Sequence, residues 1–412
     1  METPPSQPPS GLVKTMMPLA GTDPTRPSDD LDVLLEIVGN ARIVALGEPT
    51  HGQREVFQIK HRIIAWLVEE MGFTTFALEA SVVGCRAMSR FVLRGEGDPE
   101  AAVKAQGFWT WSTEEVLDLV LWLREWNVAH PDRPVDVAGI DTQESVNAHR
   151  SLTTYIINQA PTMALDYISD LASIAAIIPG QIPYDASEHA RYIRILASLD
   201  RRIDLLPGAD EAEVAVAHDD SLVIRQFLTL WAASAAGGES FSTARDRIMA
   251  DRAARLTEAT PESRVALWAH NAHIAKSRGS FWGDGTVVPM GLNLKARFVD
   301  DIVIVGIVFG AGGYQGIRVQ DGQPAGLDTI DVGEPPAGSL DAALFAASDA
   351  PASLLDLGNL PDELQAWFSA PHVSRTAGAL LATDTEMQVD LNVVQCFDVL
   401  AFVRETTRSV PL

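Results

Sequence analysis

A chain of 412 residues that is 47% hydrophobic and 21% charged can bury a substantial globular core. Its 31 Lys and Arg face 55 Asp and Glu, and a formal charge of −24 argues against nucleic acid or an anionic membrane as a partner held by a basic surface. Two distant cysteines exclude a disulfide framework, no apolar run approaches the roughly twenty residues of a spanning helix, and the start Met1-Glu-Thr-Pro-Pro lacks a secretion pattern, so a cytoplasmic protein is expected.

Residues 1 to about 28 carry seven prolines and little periodic apolar surface, so they are expected to form a disordered tail ahead of one folded unit over 29–412. From Asp29 onward helical and strand patterns alternate. Short, β-branched apolar runs predict buried strands at Ala41–Leu46, Thr74–Leu78, Val135–Ile140, Arg264–Trp268 and Asp301–Phe309, with a weaker sixth at Val399–Val403. Strands alternating with helices imply an α/β fold with a mainly parallel central sheet flanked by helices. The stretch between Asp141 and Arg264 is helical in composition and too long for a simple crossover. It is expected to be a helical insertion over about 142–263 that forms a lid or cleft wall, with a separate helical domain as the alternative. Gly310-Ala-Gly-Gly313 is expected to be a loop after the fifth strand.

Parallel sheets bind ligands beyond the carboxyl ends of their strands. The first strand runs into Gly47-Glu48-Pro49-Thr50-His51-Gly52, the second ends at Glu79, the third at Asp141 and the fourth at His270-Asn271-Ala272-His273. A histidine with a nearby carboxylate is the smallest set that activates water, because the carboxylate fixes the tautomer and stabilises the imidazolium. His51 is therefore the candidate base, and Glu48 or Glu79 its orienting acid. The competing readings are a Thr50 helix cap with Glu48 in solvent, a structural ion pair at Glu79 and an N-cap at Asp141. His270 and His273 are expected in the same cavity, stabilising an oxyanion or binding substrate. No cofactor is expected, since HExxH and paired-cysteine zinc patterns are absent; the alternative is a divalent metal on the two histidines with Glu48, His51 or Glu79 as third ligand. No Gly-x-Ser-x-Gly elbow occurs, which argues against an ordinary serine hydrolase. Cys85 reads as a core thiol, and Phe108-Trp109-Thr110-Trp111 as cleft lining or core.

Together, Gly47-Glu48-x-x-His51, Glu55, Glu79, Leu121-Trp-Leu-Arg124-Glu125, Gly139-Ile140-Asp141, Arg245-Asp246-x-x-Met249-Ala250, Ala269-His270-Asn271-x-His273 and Pro289-Met290-Gly291 resemble the erythromycin esterase family, in order from about residue 31 to the C-terminus. The resemblance implies an α/β fold with a helical insertion and a hydrolase that opens the macrolactone ester of macrolide antibiotics by water attack. It implies His51 as general base, with Glu48, Glu79 and His270 completing the catalytic set. His273, Lys60, Asp141, Trp111 and Met290 are the residues expected to bind substrate. Lys60 departs from the family, whose resistance esterases carry Arg there, so a point cation replaces a planar fork. The expected partner is an apolar, polyketide- or macrolide-like small molecule. Elimination, dehydration or cyclisation by the same groups is the alternative chemistry, and a non-catalytic small-molecule binding protein the alternative class. As a lid, the insertion would enclose substrate between the Phe227–Trp231 helix and the Phe108–Trp111 segment.

Overall fold

The computed structural model describes residues 8–235, 240–279, 281, 285–383 and 385–412. Its strands are β1 (Met17–Leu19), β2 (Ile43–Leu46), β3 (Thr75–Ser81), β4 (Asp136–Asp141), β5 (Val265–Trp268), β6 (Ile302–Gln320), β7 (Gln323–Asp331), β8 (Ala352–Asp356), β9 (His372–Arg375), β10 (Gln388–Leu391) and β11 (Val399–Thr406). One sheet takes the order β1-β8-β11-β6-β2-β5-β3-β4, with β7 paired to the far end of β6; β9 and β10 form a separate ribbon. From β11 across to β4 every pairing is parallel, while β8 and β1 add an antiparallel edge.

The apolar runs form central strands because helices cover both faces of the sheet. In β2, Val44 and Leu46 join one core layer and Ile43 and Ala45 the other, as the two-residue side-chain period requires. The chain steps from β2 outward to β3 and β4, returns to insert β5 between β2 and β3, then places β6 on the other flank of β2. The carboxyl ends of β2, β5 and β3 therefore lie side by side, and the polar residues that follow them meet at one edge.

Three expectations are corrected. Residues 1–7 of the expected tail lie outside the described residues, but 8–28 are folded onto the domain: Leu12–Thr15 is a helical turn, and Met17–Leu19 pairs antiparallel with Ala352–Leu354. The buried Arg62 guanidinium ties this proline-rich stretch down, donating to Gly21 O, Pro27 O and Asp30 Oδ1 at 2.6 Å each. Second, Gly310–Gly313 is no loop, because β6 continues through it to Gln320. Gly312 has φ 103°, and a Cβ there would stand 2.0 Å from Thr406 O, so the glycine lets β6 and β11 stay paired in register to Thr406. Third, Phe227 and Trp231 build the insertion's own core with Leu152, Leu196 and Leu199, and the Trp231 indole donates to Ile182 O at 3.0 Å.

Among the described residues no helix is long and apolar enough to cross a membrane. The turn after β2 is locked from beneath. Gly52 O accepts from Gln315 N–H (3.1 Å) and Ser409 N–H (2.9 Å), and a Cβ on Gly52 would lie 2.0 Å from Gln315 O. Gly52→Ala is expected to destabilise the chain by about 1–3 kcal/mol through this backbone clash. Urea unfolding should show a lower midpoint at constant slope; an unchanged midpoint would contradict the constraint.

Candidate active site

The β2 turn presents His51 and Glu48 together. His51 Nδ1 donates to Glu48 Oε1 at 2.6 Å, and the second carboxylate oxygen accepts from Lys60 Nζ (2.9 Å) and the Trp268 indole N–H (2.7 Å). Glu48 is fully buried; burial alone would raise its pKa, but Lys60 and His51 outweigh this and hold it below the usual carboxylate range. Burial pushes Lys60 down to about 8, against the pull of Glu48. The His51 ring packs edge-on to Trp111 at 5.3 Å and lines a cleft of about 600 Å³. Its other nitrogen, Nε2, has no hydrogen-bond partner among the described residues.

A second polar cluster faces it. Glu79 on β3 pairs with Arg245 Nη2 (2.8 Å) and His273 Nε2 (3.2 Å) and accepts the His270 backbone N–H (2.8 Å). Arg245 also grips Asp141 at the end of β4, from Nη2 (2.7 Å) and Nε (3.1 Å). His273 Nδ1 lies 2.9 Å from Asp246, which in turn accepts Met290 N–H at 2.7 Å. Burial would lower the His273 pKa, but Asp246 and Glu79 more than reverse this and raise it to about 10. The charge pattern agrees: three buried carboxylates face Arg245, and a protonated His273 supplies the second cation. Arg245 Nη1 also lies within hydrogen-bond distance of His273 Nε2, at 2.9 Å, so arginine, histidine and the acids form one connected network. Burial would raise the Glu79 carboxyl as well, yet His273, Arg245 and His51 hold it well below its ordinary range.

His270 is different. Its Nδ1 accepts Ala272 N–H (3.1 Å), so Nε2 carries the proton and donates to Ala377 O (3.1 Å) and Pro49 O (3.2 Å). Burial, followed by His51 and His273, lowers its pKa to about 4. Thr376 Oγ1 and Ala377 N–H also reach Pro49 O, so neutral His270 fastens the β2 turn to the 376–377 strand exit. His61 and His149 are likewise lowered to about 4 by burial. Between pH 6.5, their ordinary value, and pH 4 the unfolded chain binds protons that the folded chain refuses. Stability is thus expected to be full above pH 6.5 and to fall toward pH 4 by on the order of 3 kcal/mol per histidine. His273 acts oppositely, losing its contribution as pH rises through about 10. Denaturant midpoints across this range check both limbs; a flat acid limb would contradict neutral burial.

The cleft is further lined by Phe108, Trp109, Trp111 and Phe281 and by Thr376–Leu380, Ala382, Glu386 and Val389. A family model described as erythromycin esterase matches residues 68–406, most of the chain. The chain belongs to the erythromycin esterase family. Erythromycin esterase type II of Escherichia coli is 26% identical over 388 residues, covering 88% of this chain and 91% of that protein. A crystal structure of a Bacillus cereus protein superposes with a TM-score of 0.80 at 24% identity, covering 97% of both chains. The erythromycin esterase EreC, solved as a mutant in its open conformation, gives a TM-score of 0.66 at 19% identity over 97% of both chains. These likenesses carry the α/β fold with its largely parallel sheet.

Within this family member, the structure brings His51, Glu79, His270, His273 and Trp111 to the cleft, with Glu48 directly beneath His51. It does not bring Lys60, Asp141 or Met290 to the substrate side. Lys60 is fully buried on Glu48, Asp141 is absorbed by Arg245 and Gln143, and the Met290 side chain packs in the core while its amide holds Asp246. Neither Phe227 nor Trp231 lines the cleft; the insertion contributes Gln143 and Arg245 to its wall instead. Sequence reasoning gave no role to Arg245, Asp246, Trp268 or the 376–389 wall. The signal for the first two was the Arg245-Asp246 pair inside a helix that must pack on the sheet.

The one unprotonated nitrogen of His270 takes a backbone N–H, both nitrogens of His273 are engaged by Asp246, Glu79 and Arg245, and the described residues contain no group of three or more His, Cys, Asp or Glu able to hold an ion.

Proposed function

We propose that this chain is a macrolide esterase that opens a macrolactone by direct water attack, without a cofactor, in the cytoplasm. The observation that carries the reading is His51 at the cleft base, its Nδ1–H fixed on a buried carboxylate and its Nε2 left for substrate water. Water held at Nε2 gives up a proton to His51 as its oxygen bonds to the acyl carbon, and the carbonyl electron pair moves onto oxygen. Glu48 stabilises the imidazolium, and Lys60 with Trp268 keeps Glu48 charged and still. The Arg245 and His273 cations face the same space and stabilise the oxyanion. Collapse breaks the acyl C–O bond, and the departing alkoxide takes its proton from His51. One water is consumed, giving one carboxylic acid and one alcohol. Aromatic walls of this extent suit a large apolar lactone.

Erythromycin incubated with the protein is expected to gain the mass of one water, at the same rate before and after exhaustive chelation. Absence of the hydrated product, or activity lost on chelation and restored by zinc, would contradict the proposal.

A further inference from the structure

A second cavity of about 660 Å³ lies between the Arg54–Met71 helix, the Glu114–Ala129 helix and the Pro24–Ser28 segment, and it shares no lining residue with the catalytic cleft. Helical spacing sets His61, Ala65 and Glu69 on one wall and Asp118, Leu121, Trp122 and Glu125 on the other. His61 is 4% exposed and meets the Trp122 ring at 6.1 Å, yet neither of its ring nitrogens has a hydrogen-bond partner among the described residues. Its place on the cavity wall leaves those nitrogens open to an occupant that bonds them.

The charges on the walls indicate the occupant's sign. Glu69, Asp118 and Glu125 line the cavity against two cations. One of these, Arg62, is already satisfied by Asp30, Gly21 O and Pro27 O, which leaves Arg26 on the roof. The Glu69 carboxyl is raised by burial and by Glu70, and that of Asp118 by burial and by Glu114; His130 and Arg54 oppose these shifts without cancelling them. These two and Glu125 are solvent-exposed, and no ion pair holds any of the three among the described residues. His61, held neutral by burial, has a lone pair to offer a donor.

We propose that this cavity binds an organic ammonium ion with an apolar body. The ammonium sits among Glu69, Asp118 and Glu125 and donates to His61, and the body lies on Trp122 and Leu121, where the indole face adds cation–π attraction. Lys60 and His61 are consecutive on one helix, the first bonded to Glu48 and the second lining this cavity, so the site is distinct from the catalytic one yet shares its scaffold.

Calorimetric titration of the whole protein with phenethylamine, which is protonated at neutral pH, tests this against 2-phenylethanol, which has the same body without the charge. One site per chain is expected, with the alcohol at least about tenfold weaker. The same loss is expected for phenethylamine with Glu69→Gln/Asp118→Asn and with Trp122→Leu, each checked for a wild-type melting curve. His51→Ala should bind the amine as wild type does. No binding at millimolar amine, equal affinity for the alcohol, undiminished affinity in the two cavity variants, or loss of binding in His51→Ala would overturn the proposal.

Discussion

Replacing His51 with Ala is expected to slow macrolactone hydrolysis by about 10² to 10⁴ while leaving the chain folded. The size follows from losing the group that takes the proton from water. The intact fold follows from the partners that remain, since Glu48 keeps Lys60 at 2.9 Å and Trp268 at 2.7 Å and is not stranded as a bare buried charge. The cavity left by the imidazole opens onto the cleft, where water fills it. Steady-state rates on erythromycin with a matched circular-dichroism melt decide the matter; near-normal turnover in a folded His51→Ala protein would remove His51 as the base.

Arg245→Met is expected to cause the largest loss of stability. The guanidinium is the hub between Glu79 and Asp141, and its removal leaves those two buried carboxylates with Asp246 and only His273 to answer them. Breaking a buried ion pair by deleting one partner costs about 3–5 kcal/mol. Arg245→Lys should recover only part of this, because an ammonium lacks the planar fork that serves Glu79 and Asp141 together. Urea midpoints measure both variants. Arg245→Met as stable as wild type would show that the cluster is not held by charge.

The strands were legible in the sequence where both of their faces are buried, because a continuous β-branched run has no other low-energy place. All six expected strands exist, and those six pair in parallel as expected. β8, with the sequence Ala352-Ser-Leu-Leu-Asp356, escaped because a short antiparallel edge strand with Ser and a terminal Asp lacks that signal. The N-terminal segment was misread because its anchor is Arg62, far along the chain, and composition cannot report a long-range hydrogen bond. At the site, the polar groups after β2, β3 and β5 were readable from their position at strand ends. Which acid serves which histidine was not. Glu48 follows β2 and Glu79 lies in β3, and the insertion of β5 between them puts Trp268 on Glu48 and His273 on Glu79, while the Arg54–Met71 helix brings Lys60 to Glu48. The cleft wall over 376–382 was invisible for a related reason: it is irregular chain, fastened through His270 to Pro49.

The central claim is that His51 delivers water to an acyl carbon. Single turnover of erythromycin in water labelled with heavy oxygen tests it most directly. One labelled oxygen in the product carboxylate and none in the released hydroxyl is the predicted result. Label in the hydroxyl, or an unlabelled product formed by elimination or rearrangement, would contradict it.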